Sequence, residues 1–218
     1  MSVLFGVYVV SRLLAQKAGF NFDADILRFG YQFLDPQLLL DDAKRSLFYL
    51  HAQPPLYNLY LAVGLKGFGE NAARFWQVSH YALGVGMTLA LYALLTLLEV
   101  RRGIAAAVTG VVIVSPAALL YENWLFYTWP VASLLVFAAL FFVRYAREAK
   151  GLDGFLFFAM IALLAGMRSV FHLIWIASVL GLILAARRSD WKRTLAVAAL
   201  PLACVLAIYI KNAVVFGE

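Results

Sequence analysis

The chain has 218 residues, of which 64% are hydrophobic, 15% aromatic and only 14% charged. Soluble domains carry roughly 25% charged residues, so an ordinary water-soluble fold is excluded, and the apolar content excludes a disordered chain. The net charge of +6, from 18 Lys and Arg against 12 Asp and Glu, is a topological signal first, because cytoplasmic loops of membrane proteins collect Lys and Arg. It calls for no nucleic-acid partner.

Seven apolar runs follow one another, at 1–14, 72–98, 103–120, 124–143, 155–166, 170–186 and 195–210. A crossing helix needs about 20 residues, so the shorter runs recruit their flanks. The first run has no basic residues ahead of it, unlike a secretory signal, and Arg12 interrupts it. Residues 19–71 then form a stretch too long to be a simple connection. Within it Asp35-Pro36 reads as an N-cap with proline at the first helical position. Leu39, Ala43, Leu47 and Leu50 share one face of the helix that follows, as in a helix lying on a membrane surface. Pro54-Pro55 breaks it, and 56–68 is apolar but too short to span, which predicts a juxtamembrane or re-entrant helix.

Three basic clusters punctuate the later runs: Arg101-Arg102, then Arg144, Arg147 and Lys150, then Arg187, Arg188, Lys192 and Arg193. Two runs separate each cluster from the next, so all three fit on the cytoplasmic side. The fold class expected is an all-α polytopic membrane protein of about seven transmembrane helices. Residues 1–18 are the first span, 19–71 an extracytoplasmic loop with juxtamembrane helices, and 72–218 six further spans of the same membrane module. Cys204, the single cysteine, has no partner for an internal disulfide and reads as a small apolar filler.

On that topology eight acids face outward: Asp23, Asp25, Asp35, Asp41, Asp42, Glu70, Glu122 and Glu218. Asp23 and Asp25 stand where the first span ends, and Glu122 at the mouth of the third. Carboxylates from two loops can serve as a general base or hold a metal ion; equally, they can cap helices or solvate loops. Outward cations run against the positive-inside trend. Arg74 and Arg168 each end an apolar helix, where a charge is costly unless paired or useful. Such an arginine either grips a phosphate bidentately or snorkels. His80 and His172 read as packing residues, whereas His51 and Gln53 lie in the break before 56–68. No P-loop, GxGxxG or HExxH motif is present.

The order of these pieces resembles the membrane-embedded glycosyltransferases of the GT-C fold, in particular the protein O-mannosyltransferases and the bacterial lipid A aminoarabinose and lipopolysaccharide-core sugar transferases. The matching segments are Asp23-Ala24-Asp25, the stretch His51-Ala52-Gln53-Pro54-Pro55-Leu56-Tyr57-Asn58, Asn71-Ala72-Ala73-Arg74-Phe75, Arg101-Arg102-Gly103, Ser115-Pro116, Glu122, and Lys211-Asn212 with Phe216-Gly217. The resemblance implies an inverting sugar transfer from a polyprenyl-phosphate-linked donor. The acceptor would be a hydroxyl of a glycan, lipid or protein, at the extracytoplasmic face of the bacterial inner (plasma) membrane. Asp23, Asp25 and Glu122 take the catalytic positions, and Ala24 separates two acids that relatives often hold adjacent. His51, Gln53, Lys66, Arg74, Arg168 and Lys211 are the candidates for the donor phosphate and lipid. A divalent metal is an optional cofactor. An acceptor-binding region is expected beyond Glu218. Two other classes stay open from the residues: a transporter or flippase of a lipid-linked or amphipathic solute, and a non-catalytic membrane subunit.

Overall fold

The computed structural model describes residues 2–29 and 32–217, so Met1 and Glu218, one of the expected outward acids, lie outside the described residues. The chain is 82% helical, with no strand among the described residues. Its helices are α1 (Ser2–Lys17), α2 (Ile26–Phe29), α3 (Pro36–Phe48), α4 (Leu56–Phe68), α5 (Ala72–Leu97), α6 (Arg102–Val114), α7 (Pro116–Glu122), α8 (Thr128–Glu148), α9 (Gly151–Met167), α10 (Leu173–Ala186) and α11 (Trp191–Phe216). Three helical stretches are long and apolar enough to cross a membrane, those holding α5, α8 and α11, or four if the bent pair α6–α7 is one span; α9 and α10 are shorter apolar helices.

The segment that precedes α5 begins as the local signals predict. The Asp35 carboxylate accepts from the backbone N–H of Gln37 at 2.7 Å, with Pro36 at the first helical position. Leu39, Ala43 and Leu50 are buried and Leu47 is half-buried. Two details depart from expectation. Asp42 leaves helical geometry, kinking α3, and α3 ends at Phe48 with Tyr49 as its C-cap, well before Pro54-Pro55. Pro55 instead stands at the N-cap of α4, where its missing N–H costs nothing.

α4 and α5 read as one continuous helical stretch of 42 residues, but they form a hairpin. A straight helix would place Tyr60 and His80 about 30 Å apart at ~1.5 Å per residue, yet their rings stack at 6.5 Å, and Phe68 stacks on Phe75 at 4.3 Å. Gly69 turns the chain with a φ of +52°, a conformation that suits glycine. Gly64 allows the close approach, since a Cβ there would overlap the Trp76 indole. The first turns of α5 project past the bundle, because His80 is already level with the start of α8: the Trp129 indole N–H donates to the His80 carbonyl at 3.0 Å. α4 therefore belongs to a layer at the end of the bundle, together with α3 and the loops around Phe33 and Leu125. The core of that layer holds Leu39, Tyr57, Leu61, Trp76, Leu125 and Tyr127. Side chains pin the first loop to it: Asn58 Oδ1 accepts from Leu34 N at 2.8 Å, and the Tyr127 hydroxyl donates to Gln32.

The expected third span, 103–120, is not one helix. Ser115 is extended, as a residue before proline prefers, and its hydroxyl caps α7 through Ala118 N. α6 and α7 consequently meet at a bend of 55°.

The rest of the bundle packs around Tyr145, Phe158, Ile161, Leu164, Ile183 and Val205. Contacts fix the directions. α5 and α8 run parallel (His80 to Trp129, Met87 to Ser133), whereas α9 returns along α8 (Tyr145 to Gly154, Phe142 to Phe157). The basic clusters do structural work at that far end. Arg187 donates to the Tyr145 and Ala146 carbonyls at the C-terminus of α8 (3.1 Å each), and Arg144 pairs with the buried Asp153 at 3.0 Å. Cations at a helix C-terminus are favourable both as donors and against the dipole.

Gly64→Ala is expected to lower stability by roughly 1–3 kcal/mol through overpacking against Trp76. Gly110→Ala, with nothing within 4 Å of the new Cβ, is expected to be neutral or stabilising by up to ~1 kcal/mol. Chemical unfolding in mixed micelles compares the two directly; equal effects would contradict the close α4–α5 packing.

Candidate functional site

The site is built where α1 and α7 end beside His80 and Tyr81 of α5. α1 stops at Lys17, and Gly19, with a φ of +91°, turns the chain across the bundle end. The chain then pairs with the segment after α7: Asp23 N donates to Asn123 O at 2.7 Å and Leu125 N donates to Asp23 O at 2.8 Å. The two loops, a hundred residues apart in sequence, are thus locked together at Asp23. Around this pairing lies an open pocket of about 530 Å³, lined by Gly19, Asn21, Asp23, Leu120, Asn123 and Trp124 among others. The Asp23 carboxylate is exposed in it and accepts from Asp25 N at 2.7 Å.

Glu122 has a different place. Its side chain is fully buried and points down into the bundle. Arg12 Nε donates to Oε2 at 2.5 Å, and the Tyr8 hydroxyl donates to Oε1 at 2.6 Å. Tyr8 has one proton, so its 3.0 Å approach to the Tyr81 carbonyl is a contact secondary to the carboxylate bond. Arg12, only 5% exposed, also donates through Nη1 to the Ile113 carbonyl at 2.6 Å and to the Ser11 hydroxyl at 2.9 Å, and its guanidinium lies 4.0 Å over the Tyr8 ring. Gly84 of α5 leaves the room for this group, since a Cβ there would strike both Glu122 and Tyr8. Further polar contacts tie the same corner: the Tyr81 hydroxyl donates to Asn123 Oδ1 (3.1 Å), and His80 Nδ1 lies 3.1 Å from the Glu122 carbonyl. Glu122 is held by its partners and does not line the pocket around Asp23.

The other candidates separate into groups. Asp25 is exposed and pairs loosely with Arg28 at 3.8 Å. His51 and Gln53 line a small hollow of about 130 Å³ against Ser169 and Asn212. Lys211 lies beside it, with Nζ donating to the Phe48 and Leu50 carbonyls at 2.8 and 2.9 Å. That hollow shares no lining residue with the Asp23 pocket. Lys66 and Arg74 are exposed at the α4–α5 turn and form no ion pair among the described residues. Arg168 is also exposed, with its guanidinium 4.5 Å over the Tyr127 ring. Tyr127 continues into Phe126 (4.0 Å) and Trp124 (4.7 Å from Phe126), so an aromatic ladder leads from Arg168 to the Asp23 pocket. Among the described residues no three His, Cys, Asp or Glu side chains come together to hold a metal ion, and the residues present do not form a ligand set for one.

Arg12, Tyr8 and Tyr81 are the site residues that spacing did not single out. The available signal was energetic. An arginine inside one apolar run and an acid at the end of another are each costly alone in a membrane, and each supplies what the other lacks.

No protein-family model, curated protein or solved structure matches the chain.

Removing one partner of the buried pair strands the other. Glu122→Leu and Arg12→Met are each expected to cost about 3–5 kcal/mol, whereas the double change Arg12→Met with Glu122→Leu is expected to recover most of that loss. Denaturant unfolding of the four proteins in micelles reads this as non-additivity; additive losses would show that the two charges are not coupled.

Proposed function

We propose that this chain is a membrane-embedded glycosyltransferase of the GT-C type, transferring a sugar from a polyprenyl-phosphate-linked donor to an acceptor hydroxyl. The observation that carries the reading is the locking of two distant loops at Asp23, which leaves an exposed carboxylate at the rim of an open pocket at the end of the bundle. The architecture proposed is seven crossings: α1, α5, the bent pair α6–α7, α8, α9, α10 and α11. In support, the three basic clusters gather at the end opposite Asp23, the pattern expected if that end is cytoplasmic and Asp23 faces the extracytoplasmic side of a bacterial inner membrane. α2, α3 and α4 form the juxtamembrane layer of that face.

In this mechanism Asp23 takes the proton of the acceptor hydroxyl as its oxygen bonds to the anomeric carbon. The bond from that carbon to the phosphate oxygen breaks, the anomeric configuration inverts, and polyprenyl phosphate leaves with the bonding pair. An exposed aspartate serves as a base when the acceptor itself excludes water from it. Trp124 and Phe126 offer stacking faces for a sugar ring, and Arg168 is the cation best placed to meet the departing phosphate. Asp25 adjusts the Asp23 loop through its backbone N–H. Glu122 acts through Arg12 and the loop above it.

The test is a transfer assay on the protein in liposomes with a panel of labelled polyprenyl-phosphate hexoses and pentoses, read as released polyprenyl phosphate. Asp23→Asn is expected to slow release at least ~100-fold, the usual scale for losing a general base, with an unchanged unfolding midpoint. Asp25→Asn should stay within several-fold of the parent. Undiminished release by both Asp23→Asn and Asp23→Ala, or no release from any donor, would overturn the reading.

A further inference from the structure

On the side of the bundle away from Asp23, α9 and α11 diverge and leave a groove of about 770 Å³. Its walls are apolar and include Phe155, Ala162, Leu163, Pro201, Cys204 and Ile208, while α3 and the start of α4 close one end. Sites for lipid- and drug-sized ligands fall in this volume range. The walls run from Phe155 to Gly166 on α9 and from Leu200 to Lys211 on α11, each about 16 Å at ~1.5 Å per residue. That is about half of a ~30 Å hydrocarbon core, the depth of one leaflet.

The closed end of the groove is cationic. Lys44 of α3 and Lys211 of α11 both line it, and no Asp or Glu does. Lys44 is exposed and forms no ion pair among the described residues. Lys211 gives two of its three N–H bonds to the Phe48 and Leu50 carbonyls, which fixes the ammonium in place and leaves one donor. Beside the lysines the groove meets the His51–Gln53 hollow across Val205 and Ile208. In that hollow Asn212 Oδ1 is buried and accepts no hydrogen bond from the protein. A buried acceptor without a donor is costly, so the hollow suits a ligand that brings a hydroxyl.

From these three features we infer that the groove is a binding site for one anionic glycerophospholipid of the surrounding bilayer. An acyl chain lies between α9 and α11, the phosphodiester meets Lys44 and Lys211, and a head-group hydroxyl donates to Asn212. Phosphatidylglycerol has this chemistry. The single-leaflet depth favours a bilayer lipid over a long isoprenoid, and the bound lipid ties the juxtamembrane helix α3 to the last helix of the bundle. The site shares no residue with the Asp23 pocket and does not depend on sugar transfer.

The experiment compares phosphatidylglycerol with phosphatidylcholine of the same acyl chains. Delipidated protein is titrated with each, bound lipid is counted by native mass spectrometry, and the rate of maleimide labelling at Cys204, the single cysteine, reports occupancy of the groove. One phosphatidylglycerol is expected to stay bound at least ~10-fold more tightly than phosphatidylcholine and to slow labelling. Lys44→Gln, on an exposed side chain, should reduce that preference to about unity without moving the lipid-free unfolding midpoint. Asn212→Leu should weaken phosphatidylglycerol while leaving phosphatidylmethanol, a phosphodiester with no head-group hydroxyl, unaffected. Equal retention of both lipids, a preference that survives Lys44→Gln, or one-for-one displacement of phosphatidylglycerol by a polyprenyl phosphate would each overturn the proposal.

Discussion

The ion pair between Arg12 and Glu122 is the constraint on which the architecture of the candidate site rests. Taking a guanidinium and a carboxylate out of water costs several kcal/mol per ion, and attraction offsets this only with near-ideal geometry and further hydrogen bonds. Here the carboxylate accepts from Arg12 and Tyr8, and Arg12 spends another donor on the Ile113 carbonyl. The pair thereby joins α1, α6 and the end of α7, with α5 fitted against it at Gly84. A buried pair of this kind adds little net stability over apolar residues of similar volume; what it does here is bring α1, α6 and the end of α7 to one point.

Everything at the end of the bundle follows from the loop after Glu122. Asn123 and Leu125 present the backbone groups that Asp23 pairs with, so the exit of α1 is set by the exit of α7. The bend at Ser115-Pro116 is the geometric condition, because it lets α7 carry Glu122 back toward α1. Above this corner the aromatic layer of Tyr57, Trp76 and Tyr127 is continuous with α3 and α4. The exposed Asp23 carboxylate is therefore placed by a buried one that does not line the pocket. Two acids of similar sequence context have been divided between solvent and core.

Charge is also divided along the bundle. At one end, arginines cap the C-terminus of α8 and pair with Asp153, so residues of the basic clusters stitch helices together. At the other end the cations are dispersed along the chain: Arg168 lies over Tyr127, Lys211 on two carbonyls, and Lys44 lines the groove with no ion pair among the described residues. The candidates for phosphate recognition consequently do not form one cluster. His51, Gln53 and Lys211 gather on the α11 side, and only Arg168 is linked by packed rings to the Asp23 pocket.

Much of this protein is local and could be read from the residues alone. The membrane-helical class follows from apolar runs at crossing length, and the starts of α3 and α4 follow from Asp35-Pro36 and Pro55, because caps and prolines act within a few residues of themselves. The buried face of α3 follows from the spacing of Leu39, Ala43 and Leu50. The kink at Asp42, the hairpin of α4 on α5 and the break before α7 depend on what each helix packs against, and they emerged only in three dimensions. So did the fate of the acids. Asp23 and Glu122 both stand at the ends of apolar runs, and nothing within several residues of either distinguishes an exposed carboxylate from a buried one. That distinction was made by Arg12, more than a hundred residues from Glu122 in sequence, because a charge buried in a bundle is settled by whichever opposite charge the packing delivers to it.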